Sequence, residues 1–136
     1  MGYRSDVRIM TSKNGFKKLN EFVSENIKKN KNEYSNLLED IDVKKETSRA
    51  CYFGWNYVKW YEDFNPEVIA IMSGLRHLEE EDYSFRYSRI GESYDDYEEF
   101  YHDSDKDSEQ DLDFPSMIRE FDDEYIIFNM DKDVEL

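Results

Sequence analysis

With 136 residues and a net charge of −15, the chain can bury roughly two thirds of its unfolded surface in one domain, without a disulfide or a metal. Its 18 lysines and arginines face 33 aspartates and glutamates, which disfavours direct nucleic-acid binding or an anionic membrane surface, since both need clustered cations. The lone cysteine has no internal partner, the opening residues lack the apolar run of a secretory signal, and no stretch approaches about 18 apolar residues. The expected setting is the cytoplasm.

The charge is unevenly placed. Residues 1–90 carry 15 acids and 15 bases, whereas residues 91–136 carry 18 acids against Lys106, Arg119 and Lys132. The whole imbalance therefore belongs to the last third, a pattern that points to an interaction surface.

In chain order, residues 3–11 alternate Ser5, Val7 and Ile9 against Asp6, Arg8 and Met10, and predict a strand. Thr11 or Ser12 supplies a cap for a helix over about 13–29, whose apolar stripe is Phe16, Leu19, Phe22, Val23 and Ile27. After a polar break at 30–33, Tyr34, Leu37, Leu38 and Ile41 suggest a short amphipathic turn. Residues 49–61 (RACYFGWNYVKWY) hold both tryptophans and the cysteine. Period-two reading places Cys51, Phe53, Trp55 and Tyr57 on one face and Tyr52, Gly54, Asn56, Val58 and Trp60 on the other. Large side chains on both faces fit an interior strand, with Cys51 a buried, inert thiol.

Asn65 as cap, Pro66 at the first helical position and Glu67 in the first turn start a second helix with the stripe Val68, Ile71, Met72, Leu75 and Leu78. The carboxylate run at 79–82 opposes the helix dipole and stops it. Residues 83–90 alternate as a strand, Gly91-Glu92-Ser93 reads as a three-residue hairpin loop, and residues 94–102 (YDDYEEFYH) form the return strand. A strand so acidic belongs at a sheet edge or under a basic cover. An acidic loop at about 103–113 follows. The tail 114–136 is expected to return to the core as a short helix or strand and then a strand through Tyr125-Ile126-Ile127-Phe128.

The order predicts one α+β domain: a single mixed or antiparallel sheet of four to five strands with two main helices packed on one face. Aromatic residues on both parities of the second strand imply that the other face is partly covered, the tail being the segment at hand.

Three groupings bear on chemistry. Asp103, Asp105, Asp107, Glu109 and Asp111 have the oxygen spacing of part of a calcium loop. Ser108 replaces the turn glycine and Phe114 the closing glutamate, so a solvated loop with no metal is expected. Glu92, Asp95, Asp96, Glu98 and Glu99 form a carboxylate-rich hairpin, with Arg86, Arg89 and His102 near in sequence. No phosphate loop, nucleophile elbow or zinc spacing is present, and no cofactor is expected. The tyrosines lack the basic groove of a base-stacking platform.

Residues 1–7 (MGYRSDV), 58–63 (VKWYED) and Arg89 to Glu92 with Asp95, Asp96 and Glu98 (RIGE..DD.E) together resemble small acidic proteins of unknown function from bacteriophages and integrated mobile elements. The resemblance implies a setting and no activity: in that setting, small acidic proteins that block host defence or nucleic-acid-handling enzymes are common.

The expected function is a non-enzymatic acidic binding protein presenting Glu92, Asp95, Asp96, Glu98 and Glu99 to a basic protein surface, a possible nucleic-acid mimic or inhibitor of a host enzyme. Two other readings stand beside it. One is a metal-dependent enzyme using the same carboxylates with His102; the other is a structural or oligomerising domain whose acidic tract only confers solubility.

Overall fold

The computed structural model describes residues 3–30, 36–93, 95–106 and 123–130. The expected turn residue Tyr34, the loop residues Asp107, Glu109 and Asp111, and the tail at 114–122 and 131–136 lie outside them. Its elements are β1 (Ser5–Ser12), α1 (Lys13–Asn30), a 3-10 turn (Leu37–Glu39), β2 (Val43–Glu46), β3 (Ala50–Val58), α2 (Pro66–Glu80), β4 (Phe85–Ile90), β5 (Tyr97–His102) and α3 (Asp123–Asn129). The sheet has five strands in the order β2-β3-β1-β4-β5, with every neighbouring pair antiparallel. The α+β architecture follows the alternation and helical stripes of the sequence.

One face of the sheet carries Val7, Ile9, Cys51, Phe53, Trp55, Phe85 and Tyr87 beneath Leu19 and Val23 of α1 and Val68, Ile71, Leu75 and Leu78 of α2, in one buried cluster. Ser12 is the residue that caps α1, its Oγ accepting the Gly15 N–H at 2.9 Å. Asn65 precedes Pro66 with no side-chain cap bond; its Nδ2 instead donates to the Lys59 carbonyl at 3.3 Å. At the other end of α2, Asp82 takes a left-handed φ of 63°, so that the Tyr83 N–H reaches back to the Leu78 carbonyl at 2.8 Å. That closes the helix where the carboxylate run opposes its dipole.

Two expectations need correction. The fifth strand is β2 rather than the tail; its sequence VKKE is exposed apart from half-buried Val43 and gives no apolar alternation, as suits a charged edge. Tyr125 to Phe128 lies in helix α3, not in a strand: Ile126 and Met130, one helical turn apart, are buried against Met10, Ala50 and Tyr52 on the sheet face away from α1 and α2. The tail does return to the core there. Tyr57 also departs from the strand's alternation. Its φ of 51° turns the chain at the end of β3 and leaves its ring exposed, 5.2 Å from the Arg4 guanidinium.

At the centre of that second face sits a buried cation. Arg8 is 3% exposed; its Nε donates to Asp123 Oδ1 at 2.9 Å, its Nη1 to the Trp55 carbonyl at 3.2 Å, and its Nη2 to Asn56 Oδ1 at 2.7 Å. The Tyr52 hydroxyl donates to the same Asp123 carboxylate at 2.6 Å. The guanidinium passes over Gly54, where a Cβ would stand 2.8 Å from Arg8 Cδ and 2.0 Å from the Val7 carbonyl oxygen. Only glycine fits there.

Burial works against the charge on Asp123, but the hydrogen bonds from Arg8 and Tyr52 outweigh it and hold the carboxyl below its ordinary value. A depressed carboxylate adds stability above its unfolded pKa and loses it as pH falls through the folded one. Asp123→Asn is therefore expected to cost about 2–4 kcal/mol in denaturant unfolding at neutral pH and to flatten the acid limb of the stability curve. Gly54→Ala is expected to cost about 3 kcal/mol. A loss below about 0.5 kcal/mol for Asp123→Asn would mean that α3 is not held through Arg8.

Candidate functional site

The acidic hairpin edge is built by the arginines of β4. β4 and β5 pair from Phe85↔His102 to Ile90↔Tyr97, so the connection spans residues 91–96 and is longer than the three-residue turn expected from sequence. Asp95 and Asp96 therefore belong to the loop, not to the return strand. The Gly91 N–H donates to the Asp96 carbonyl at 2.8 Å and the Asp96 N–H to the Ser93 carbonyl at 3.0 Å. A Cβ on Gly91 would lie 2.0 Å from Asp96 Oδ2 and 2.4 Å from the Tyr3 hydroxyl. A side chain there would displace the Asp96 carboxylate and the Tyr3 hydroxyl from the positions they hold.

Asp96 is what lengthens the connection. Its carboxylate receives Arg89 in a two-pronged bond (Nη2–Oδ1 2.7 Å, Nη1–Oδ2 3.1 Å) and the Tyr3 hydroxyl at 2.6 Å. The bond to Asp96 in turn raises the Arg89 pKa, against the opposing effect of burial. Tyr3 Oη accepts the Ser93 N–H at 2.9 Å, and Glu92 Oε2 accepts the Arg4 N–H at 2.5 Å. Glu92 and Asp96 thus tie the start of the chain to the hairpin.

The two remaining strand acids part company, because neighbouring strand residues point to opposite faces. Glu98 pairs with Arg89 on the face of α1 and α2, 3.8 Å from its Nε. Glu99 faces the other way, is exposed, and accepts the Tyr97 hydroxyl at 2.8 Å. Asp95 is exposed in the loop. The five carboxylates are close along the chain but do not converge on one point.

Beyond β5, Asp103 bonds Arg86 at 2.7 Å while its side chain stays 67% exposed, and the Arg86 guanidinium lies 4.8 Å from the Tyr101 ring. His102 Nε2 lies 2.8 Å from Asp82 Oδ1. The hydrogen bond from His102 is the main reason that the Asp82 carboxyl is held below its ordinary value, with the Asp105 N–H assisting. The Ser104 hydroxyl donates to the Asp82 carbonyl at 2.6 Å and Lys106 Nζ to the Glu81 carbonyl at 2.6 Å. The first residues of the acidic loop are therefore bonded to the end of α2. His102 is committed to Asp82, not to the hairpin carboxylates. Among the described residues no three of His, Cys, Asp and Glu are grouped to hold a metal ion.

Cys51 is fully buried, and burial, aided by Glu46, pushes its thiol up to about 12. A thiol so far above neutrality is not an activated nucleophile.

One grouping was missed in the sequence. Tyr87, buried on the α1 and α2 face of β4, lies 3.2 Å from Glu62 Oε1 and 3.1 Å from Glu98 Oε1, and its oxygen accepts the Trp60 indole N–H at 2.9 Å. Glu62 and Glu98 line a cleft of about 200 Å³ with Met72, Arg76 and Phe100. The available signal was Tyr87 itself: a phenol alternating with Phe85 on a core face needs a polar partner. Which carboxylates supply it depends on long-range register.

Asp96→Ala is expected to cost about 2 kcal/mol in denaturant unfolding, since it strips Arg89 of its charged hydrogen bonds. Asp95→Ala should stay within about 0.5 kcal/mol of the parent. Equal effects of the two would mean that Arg89 does not hold the loop.

The chain matches no protein-family model, no curated protein and no solved structure.

Proposed function

We propose that the chain is a cytoplasmic, non-enzymatic binding protein of the kind carried by phages and mobile elements, offering the acidic outer edge of its sheet to a basic protein surface. The observation that supports this reading is the position of β5 as the outermost strand, with Asp95, Glu99, Asp103 and Asp105 exposed along it and beyond it. Glu92, Asp96 and Glu98 are the framework of that edge and Asp95 and Glu99 its outward charges. No helix among the described residues is long and apolar enough to cross a membrane.

The physical advantage of such an edge is kinetic as well as energetic. Opposed charge speeds encounter with a cationic partner and makes the complex salt-sensitive. Neighbouring strand residues point to opposite faces, so what this edge offers a partner is its net negative charge, and a basic groove such as one that holds nucleic acid is the partner surface this suits best.

Replacing Asp95 and Asp103 and Asp105 by Asn, with Glu99→Gln, removes four exposed charges without touching Arg89 or Tyr87, and gives up only the Arg86–Asp103 ion pair. The parent is expected to capture a basic protein from host lysate at low salt and release it at high salt, with added duplex DNA competing. The fourfold variant is expected to capture nothing at either salt. Retention of the same partner by the variant, insensitive to salt, would sink the reading.

A further inference from the structure

The Tyr87 hydroxyl sits in a four-group array whose hydrogens can be counted. A phenol has one proton to donate and lone pairs to accept with. One lone pair takes the Trp60 indole N–H at 2.9 Å. The single phenolic proton goes to one of the two carboxylate oxygens, Glu62 Oε1 at 3.2 Å or Glu98 Oε1 at 3.1 Å. The other oxygen then faces a phenol lone pair at hydrogen-bond distance with nothing between them. Two anionic oxygens around one phenol are one proton short.

We propose that Glu62 and Glu98 hold one proton between them at the Tyr87 hydroxyl, and that this proton latches the turn after β3 to edge strand β5, so that its loss on raising the pH frees β5 from the turn and opens the cleft between them. This inference does not rest on the binding role of the acidic edge.

The surroundings favour the shared proton. Burial comes first among the causes that push the Glu62 carboxyl up, followed by its bond with Glu98. Burial likewise comes first in raising the Tyr87 phenol, followed by the charges of Glu62 and Glu98, so the phenol keeps its proton. The charged groups facing the pair are few. From β4 comes Arg89, 3.8 Å from Glu98 but already bonded twice to Asp96. From α2 comes Arg76, which lines the cleft and forms no ion pair with any described residue. From β5, His102 shares the face of Glu98 but is bonded to Asp82. The turn itself contributes Glu62 and the neutral Trp60. Glu62 has no ion-pair partner among the described residues, and Glu98 shares Arg89 with Asp96.

The sign follows from linkage. A carboxyl raised in the fold adds stability that is fully present below the ordinary carboxylate value, about 4.3 for glutamate, and is lost as pH rises through the raised one. Two coupled carboxyls titrate as a pair, not as separate sites.

The test is a carbon-detected NMR titration of the glutamate carboxyls in the full chain. Glu62 and Glu98 are expected to show coupled, two-step curves, with one step above the ordinary glutamate value. In Glu62→Gln, Glu98 should revert to a single step. Amide exchange of β5, corrected for intrinsic rates, should quicken several-fold across the upper step in the parent and stay flat in Glu62→Gln. Independent single-step curves for both residues would overturn the shared proton, and that result needs no variant to fold. Coupled curves with unchanged β5 exchange would overturn the latch.

Discussion

The fold is arranged around a guanidinium almost wholly withdrawn from water. Arg8 occupies the central strand β1, and burying a cation there costs several kcal/mol unless its charge is met and its donors are filled. Asp123, 115 residues away in sequence, meets the charge. The backbone of β3 and the Asn56 side chain take further donors. Gly54 leaves room for the stem, and the Tyr52 hydroxyl donates to the same carboxylate oxygen as Arg8 Nε. The two faces of one sheet are therefore stabilised differently. The face beneath α1 and α2 is an apolar cluster in which Trp55 and Trp60 stand with ring centroids 5.2 Å apart. The opposite face is an ion pair with a small apolar collar.

The same logic recurs at the hairpin. Arg89 of β4 gathers Asp96 and Glu98, so part of the negative surplus is spent on structure, whereas Asp103 stays exposed beside Arg86. What faces solvent is the remainder. An acidic tract in a sequence is therefore not automatically an acidic surface. Its exposed portion is set by where the few cations of the neighbouring strand stand.

Much of the architecture was legible because it rests on local periodicity. The alternation of Ser5, Val7 and Ile9, the stripe from Phe16 to Ile27, and the Asn65-Pro66-Glu67 start each specify their element without tertiary help. β2 was not legible: Val43-Lys44-Lys45-Glu46 has a single apolar residue and becomes a strand only because β3 offers its backbone. Tyr125 to Phe128 combines aromatic and β-branched residues, which locally favour a strand. Burial of Ile126 and Met130 one turn apart overrides that preference. The hairpin carboxylates were found, but their division into framework and outward charge depends on the loop length that Asp96 and Arg89 impose. The Glu62, Tyr87 and Glu98 grouping joins three elements through register, which no local pattern encodes.

The strand order has a consequence for biosynthesis. β1 leaves the ribosome before the other strands of its sheet, yet it is the middle of that sheet and needs β3 on one side and β4 on the other. Its second partner is complete only at Ile90, so a strand with seven of its eight residues buried in the finished molecule waits unpaired on one edge while most of the chain is made. Such nascent edges are where chaperones bind and where aggregation begins. The charged residues of α1, translated directly behind β1, are the nearest solubilising segment during that interval.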